Sequence, residues 1–187
     1  MRVIAGSAKG REITAPKGSN TRPTLAKVKE AMFGMIQFDI EGAEVLDLFS
    51  GSGGLGIEAL SRGAKHAVFC DNDRQAYSVI KSNIEKLGFI GVSSLHYGDS
   101  IALLSELSRG GKRFDIVLLD PPYALDLENR ALELLTRLDL LNEGAIVLCE
   151  HSKENPPVFP DGFTVKKPKK YGDSFVTKAV FEGAEEE

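Results

Sequence analysis

Apolar residues along this chain follow two alternating rhythms from Ala43 onward. Short continuous apolar runs alternate with longer stretches whose apolar positions fall at helical spacing. "EVLDLF", "HAVFCD", "VSSLHYGD", "FDIVLLD" and "GAIVLCEH" read as strands. Between them "LGIEALSRG", "RQAYSVIKSNIEKLG", "SIALLSELS" and "LENRALELLTRL" read as helices, the first two closed by Gly63 and Gly88. Continuously apolar strands between helices predict a parallel sheet covered on both faces. Right-handed crossovers then make it doubly wound. The last stretch, "GFTVKKPKKYGDSFVTKAVFE", has two extended pieces around "YGDS" and predicts a closing antiparallel hairpin. The expected fold class is α/β, a doubly wound, mostly parallel seven-stranded sheet.

The first residues follow a different pattern. "RVIAGSAKGREITAP" reads as two short extended pieces around a glycine turn, hence an N-terminal β-hairpin arm. "KGSNTRP" has the composition of a linker. Thr24 is placed to cap the helix that follows, and Leu25, Val28, Met32 and Met35 give that helix one apolar face for core packing. The expected division is an arm with its linker over 1–22 and the sheet domain over 23–187.

Bulk composition narrows the class. The 187 residues are 42% hydrophobic and 27% charged, as in a folded globular chain and not a disordered one. No apolar run approaches the roughly 18 residues of a membrane span. The N-terminus lacks a signal-peptide core. Cys70 and Cys149 both lie in apolar segments and read as reduced core side chains. The expectation is a cytoplasmic monomer. His66, His96 and His151 have no ligand spacing, so no metal is expected.

A net charge of −4 argues at first against a polyanionic partner. Its distribution changes the picture. Through Lys29 the chain carries Arg2, Lys9, Arg11, Lys17, Arg22, Lys27 and Lys29 against Glu12 alone. A second basic run, "KKPKK", spans Lys166 to Lys170. Such asymmetry suits local binding of nucleic acid, and equally a solvated charged face.

The loop after the first strand carries candidate chemistry. Gly51-Ser52-Gly53-Gly54-Leu55-Gly56 fits G-x-G-x-x-G, and Asp71 lies 20 residues beyond Gly51. That spacing matches a dinucleotide site, with amides for an anion and an acid for a ribose diol. S-adenosylmethionine fits the same features. Asp47, just before the loop, favours it. A carboxylate there repels a pyrophosphate and attracts an ammonium and a sulfonium. Asp47 can also accept hydrogen bonds from loop amides. Asp99 can accept from an adenine amino group, or cap the helix that starts at Ser100.

"LLDPPYAL", residues 118–125, is the second informative stretch. Two prolines fix a non-helical turn directly after a buried strand and place Asp120 and Tyr123 at the sheet edge. A purine amino group is planar and its lone pair is delocalised. Acceptance of its N–H bonds by the Asp120 side chain and the Pro121 carbonyl would free that lone pair for a methyl carbon. Tyr123 can stack on the base. Asp120 can take the proton.

Together these stretches resemble class I S-adenosylmethionine-dependent methyltransferases. They are similar in particular to the bacterial family that methylates the guanine N2 amine of 16S ribosomal RNA. "RVIAGSAKGR", "TRPTLAKVKEAMF", "LDLFSGSGGLGIEALSRGA", "SNIEKLG", "LLDPPY" and "KKYGDS" carry the resemblance. The chain departs at Asp71, where that family usually has Glu, and at Ala26 and Lys27, where Asp and Arg are usual. The resemblance implies a cofactor site of Asp47, Phe49, Ser50, Gly51, Ser52, Gly53, Asp71, Asn72, Asp99 and Ser100. It implies a catalytic turn of Asp120, Pro121, Pro122 and Tyr123. Arg2, Lys9, Arg11, Arg22, Lys169 and Lys170 would contact nucleic acid. The implied partner is 16S ribosomal RNA or a small-subunit assembly intermediate. Adenine N6 and a protein glutamine amide suit the same turn. A nicotinamide oxidoreductase would leave Asp47 and the Asp-Pro-Pro-Tyr turn unexplained.

Overall fold

The computed structural model describes residues 1–18, 23–122 and 126–183, without the side chains of 23 and 24. Tyr123 and Arg22 lie outside the described residues. In chain order the elements are α1 (Pro23–Gly34), β1 (Glu44–Asp47), α2 (Gly54–Ser61), β2 (His66–Asp71), α3 (Arg74–Leu87) and β3 (Ser93–Tyr97). They continue with α4 (Ser100–Arg109), β4 (Phe114–Leu119), α5 (Leu127–Arg137), β5 (Leu141–His151), β6 (Phe163–Val165), β7 (Lys169–Tyr171) and β8 (Ser174–Phe181). No helix among the described residues is long and apolar enough to cross a membrane.

One sheet runs β3-β2-β1-β4-β5-β8-β6, with β7 also paired to β8. The first five strands are parallel, and β8 returns antiparallel to β5. The sheet therefore has the seven positions expected and eight strands. β6 and β7 share the last position, broken across Lys166-Lys167-Pro168. Pro168 has no N–H for the ladder, so pairing resumes only beyond it. Gly172, at φ +61°, opens the two-residue turn between Tyr171 and Ser174.

Alternation along the strands sorts the core into two layers. Val45, Leu118 and Leu148 face α1, α2 and α3, whereas Leu46, Val117, Leu119 and Val147 face α4 and α5. Both cysteines are buried and free. Helix ends follow local chemistry. Asp73 accepts from the Ala76 amide at the start of α3, and Gly88, at φ +78°, closes it. α1 begins at Pro23, a favoured first helical residue, so Thr24 lies in the first turn and is not the cap.

The N-terminal segment forms the expected hairpin, though a short one. The Val3 amide donates to the Arg11 carbonyl at 3.0 Å and the Ile13 amide to the Met1 carbonyl at 2.8 Å, around an antiparallel bridge between Arg2 and Glu12. Side chains of α2 satisfy the backbone of the turn between the two pieces. Glu58 accepts from the Ile4 and Ala5 amides at 2.9 and 3.0 Å, and Ser61 Oγ accepts from the Ala8 amide at 2.9 Å. Gly6, at φ +83°, crosses so close to α2 that a Cβ would come 1.7 Å from the Ser61 carbonyl oxygen. Val3, Ala8 and Ile13 are buried in the same apolar cluster as α1 to α3. The segment is built into the core and does not project.

Candidate active site

A cavity of about 520 Å³ opens at the carboxyl edge of the sheet, where open α/β sheets hold ligands. Each strand end on this edge supplies part of its wall. The β1 loop gives Phe49, Ser50, Gly51, Ser52, Gly54 and Leu55, and β2 gives Asp71 and Asn72. Asp99 and Ser100 follow β3, Asp120, Pro121 and Pro122 follow β4, and Glu150 stands at the end of β5. Met1, Ala15, Pro16, Leu25, Lys29 and Met32 close the side covered by the N-terminal segment and α1.

The glycine loop is held by hydrogen bonds that tie it to β2. Ser50 Oγ donates to the Asp47 carbonyl at 2.6 Å and accepts from the Cys70 amide at 3.0 Å. The Gly51 amide donates to Asp71 Oδ2 at 2.8 Å, and Asp71 Oδ1 accepts from the Asp73 amide at 2.9 Å. Each Asp71 oxygen thus makes one backbone contact. A carboxylate has about four acceptor sites, so capacity for a diol remains. Asp99 is a helix cap that also stands on the cavity wall. It caps α4 by accepting from the Ala102 amide at 2.7 Å. Ser100 Oγ donates to the Leu48 carbonyl at 2.7 Å, locking the start of α4 to the end of β1.

Two residues of the expected cofactor set stand behind the wall and not on it. Gly53, at φ +78°, is the cap of α2 and abuts Ile57 and Ile80. Asp47 is buried, and its Oδ2 accepts from the Gly56 amide at 3.0 Å. Of the readings open to Asp47, the structure shows the hydrogen bond from a backbone amide, that of Gly56 in α2. Burial pushes its carboxyl up to about 7, partly offset by the Gly56 hydrogen bond and reinforced by Asp71.

That shift has a consequence for stability. Below the ordinary carboxylate range Asp47 is protonated both folded and unfolded. As pH rises toward 7 only the folded state keeps the proton, so stability is lost across that window. Asp47→Asn keeps an acceptor oxygen for Gly56 and removes the titration. The variant is expected to gain on wild type between pH 5 and pH 8 by up to about 3 kcal/mol. Urea unfolding at both pH values checks this. Equal pH slopes for the two proteins would count against it.

Asp120 is half-buried beside Glu150 and lies over the same cavity. Its carboxyl is raised well above the usual range, first by burial, then by the charges of Glu150 and Asp47. Glu150 escaped the sequence reading although its signal was present. It lies at the carboxyl end of an apolar strand, as Asp120 does. Lys29 was read among the basic residues of the N-terminal stretch. It is instead 4% exposed, donates to the Arg2 carbonyl at 2.9 Å and pairs with Glu58 at 3.3 Å.

The other basic candidates are on the surface. Arg2 pairs with Glu12 at 3.1 Å, with both side chains about two-thirds exposed. Arg11 donates to the Lys86 carbonyl at 2.8 Å, and Lys9, Lys169 and Lys170 are exposed. Where α1 ends against β7 and β8, Lys166, Lys167, Lys169 and Lys178 surround a groove floored by Met35 and Val176.

A sheet whose last strand returns antiparallel, with carboxylates converging on a cleft at its parallel edge, is the Rossmann-like architecture of methyltransferases. The family described as conserved hypothetical protein 95 matches residues 1–179, and the chain belongs to it. Ribosomal RNA small subunit methyltransferase D of Haemophilus influenzae is 33% identical, over 92% of this chain and 89% of its own length. YlbH of Bacillus subtilis is 39% identical, over 95% of this chain and 91% of its own. The structure of yhhF from Escherichia coli superposes with a TM-score of 0.87 at 29% identity, covering 98% of this chain and 99% of that one.

Proposed function

We propose that the protein transfers the methyl group of S-adenosylmethionine to the exocyclic N2 amine of a guanine in 16S ribosomal RNA. The observation that carries this reading is the convergence of the β1 loop, Asp71, Asp99 and Asp120-Pro121 on one cavity. Relatives over nearly the whole chain bear the name ribosomal RNA small subunit methyltransferase D.

When bound, S-adenosylmethionine supplies an electrophilic methyl group on a sulfonium. The glycine loop at the start of α2 suits its carboxylate, while the Gly51 amide holds Asp71. Asp71 suits the ribose diol and Asp99 the adenine amine. Asp120 and the Pro121 carbonyl accept the two N–H bonds of the target amine and release its lone pair from the ring. Tyr123 stacks on the base. Since the sulfonium loses its charge during transfer, alignment contributes more than base strength. Asp120 then receives the amine proton. Arg2, Lys9, Arg11, Arg22, Lys169 and Lys170 neutralise RNA phosphates. The substrate is 16S ribosomal RNA, alone or within a small-subunit assembly intermediate.

Nucleoside mass spectrometry of small-subunit RNA tests the reading. A strain lacking the gene is expected to lose one N2-methylguanosine, which the intact gene restores and an Asp120→Ala copy does not. Loss of an N6-methyladenosine instead would replace guanine with adenine as the acceptor. Calorimetry with S-adenosylhomocysteine and NAD tests the cofactor separately, and tight NAD binding would overturn it.

A further inference from the structure

A base that reacts at the edge of a sheet must first leave its stack, and contacts to the neighbouring nucleotides have to offset that cost. The catalytic turn and the cofactor loop give the flanking strand no seat. The lysine-lined groove where α1 meets β7 and β8 has the features of one.

Groove and cavity adjoin on one face of the sheet. Met32 of α1 lines the cavity, and Met35, just past the end of α1, floors the groove. In the antiparallel pairing of β5 with β8, Glu150 of the cavity wall stands opposite Val176 of the groove floor. Directly opposed residues share a face, and Val176 packs in the core layer under α1. Lys169 of β7 is opposite Val176 on its other side, at the cavity end of the groove. The Lys166 amide donates to the Lys178 carbonyl at 2.9 Å, two residues further along β8. The groove therefore leads away from the cavity along the sheet.

Most of its charge is unopposed. Lys178 belongs to the fold, donating to the Met35 carbonyl at 2.9 Å and reaching Asp39 at 3.9 Å. Lys166, Lys167 and Lys169 are exposed and lie outside every ion pair among the described residues.

An aromatic ring stands at the same end of α1. Phe38 is 92% exposed. It lies between Met35 and Asp39, in a turn closed by the Asp39 amide on the Ile36 carbonyl at 2.8 Å. Ile36 and Ile40 are buried on either side and anchor that turn. Cations for phosphates, next to a ring for the face of an unpaired base, are the elements of a single-strand site.

Resting on the proposed RNA substrate, we propose that this groove receives the strand flanking the target nucleotide. Lys166, Lys167 and Lys169 neutralise its phosphates, and Phe38 stacks on an unpaired base. These contacts hold the strand while the target base enters the cavity next to it.

Fluorescence anisotropy with a short single-stranded RNA of mixed sequence, titrated over a range of salt, tests the groove apart from methyl transfer. The combined variant Lys166→Ala, Lys167→Ala, Lys169→Ala is expected to bind more weakly. Its slope of log affinity on log salt should flatten by about 2, since each single-strand phosphate contact contributes about 0.7. Phe38→Ala is expected to lose about five- to a hundredfold in affinity at unchanged slope, and Phe38→Tyr, which keeps a ring, to bind as wild type. Lys112→Ala, exposed at the opposite edge of the sheet just before β4, is the charge control and should bind as wild type. All these side chains are exposed, and calorimetry with S-adenosylhomocysteine checks that each variant is folded. On the RNA or particle that wild type methylates, the combined variant and Phe38→Ala should raise KM more than they lower kcat. An unchanged salt slope in the combined variant, unchanged affinity in Phe38→Ala, or an equal loss in Lys112→Ala would overturn the groove and leave the guanine-N2 reading intact. RNA binding through the groove without methyl transfer to guanine would overturn that reading and leave the groove.

Discussion

Asp120→Ala is expected to slow methyl transfer by about 10²–10⁴-fold while cofactor binding persists. The reason lies in the division of labour across the cavity. The residues suited to the cofactor come from the ends of β1, β2 and β3, whereas Asp120 stands at the end of β4. Removal of its carboxylate takes away the acceptor for the target amine and the group that receives the proton. The loop hydrogen bonds among Ser50, Gly51, Cys70 and Asp71 stay in place. The pH profile gives a second readout. Burial and the neighbouring Glu150 raise the Asp120 carboxyl, so the active carboxylate form accumulates only above the ordinary carboxylate range. Wild-type activity should therefore rise with pH there, and Asp120→Asn should lose that limb. Single-turnover transfer from labelled S-adenosylmethionine measures the rate, and calorimetry with S-adenosylhomocysteine measures binding. Full transfer by Asp120→Ala would sink the mechanism.

Glu58→Ala should have the largest effect on stability, about 3–5 kcal/mol. Glu58 is fully buried and saturated with donors. Oε1 accepts from the Ala5 amide and pairs with Arg62 Nε at 2.9 Å; Oε2 accepts from the Ile4 amide and pairs with Lys29 at 3.3 Å. Its removal strands a buried lysine and leaves two backbone donors without their acceptor. Burial already lowers the Lys29 pKa, and the charge of Glu58 is the strongest influence opposing that shift. Loss of Glu58 therefore favours a neutral lysine. Glu58 also pins the segment that carries Met1, Ala15 and Pro16 onto the cavity wall, so cofactor affinity should fall as well. Urea unfolding and calorimetry check the two effects. A loss under about 1 kcal/mol would show that the hub contributes little.

Most of the sheet was legible in the chain because its strands are buried on both faces. A continuous run such as "FDIVLL" has few other places to go, and the glycine and Asx ends of the helices mark the boundaries. The last edge was less legible. "GFTVKKPKKYGDS" reads as one extended piece, and only pairing against β8 reveals that Pro168 breaks it into β6 and β7. The N-terminal hairpin was legible from its extended pieces and turn, but its docking was not. Hydrogen bonds from the turn residues Ile4, Ala5 and Ala8 go to Glu58 and Ser61, more than fifty residues away. No local pattern encodes so distant a partner.

The candidate site divides along the same line. Sequence alone determined the glycine loop, the acids at the ends of β2, β3 and β4, and the proline turn after Asp120. Each of these is a local feature, a short motif at the end of a predictable strand. Tertiary structure decided which of them share a wall. It set Asp47 and Gly53 behind the loop, moved Lys29 from the basic surface into a buried ion pair, and used Leu25 and Met32 of α1 to line the cavity. It also placed Glu150 beside Asp120, although thirty residues separate them along the chain. Strand order and register, which depend on packing across the whole sheet, bring such residues together.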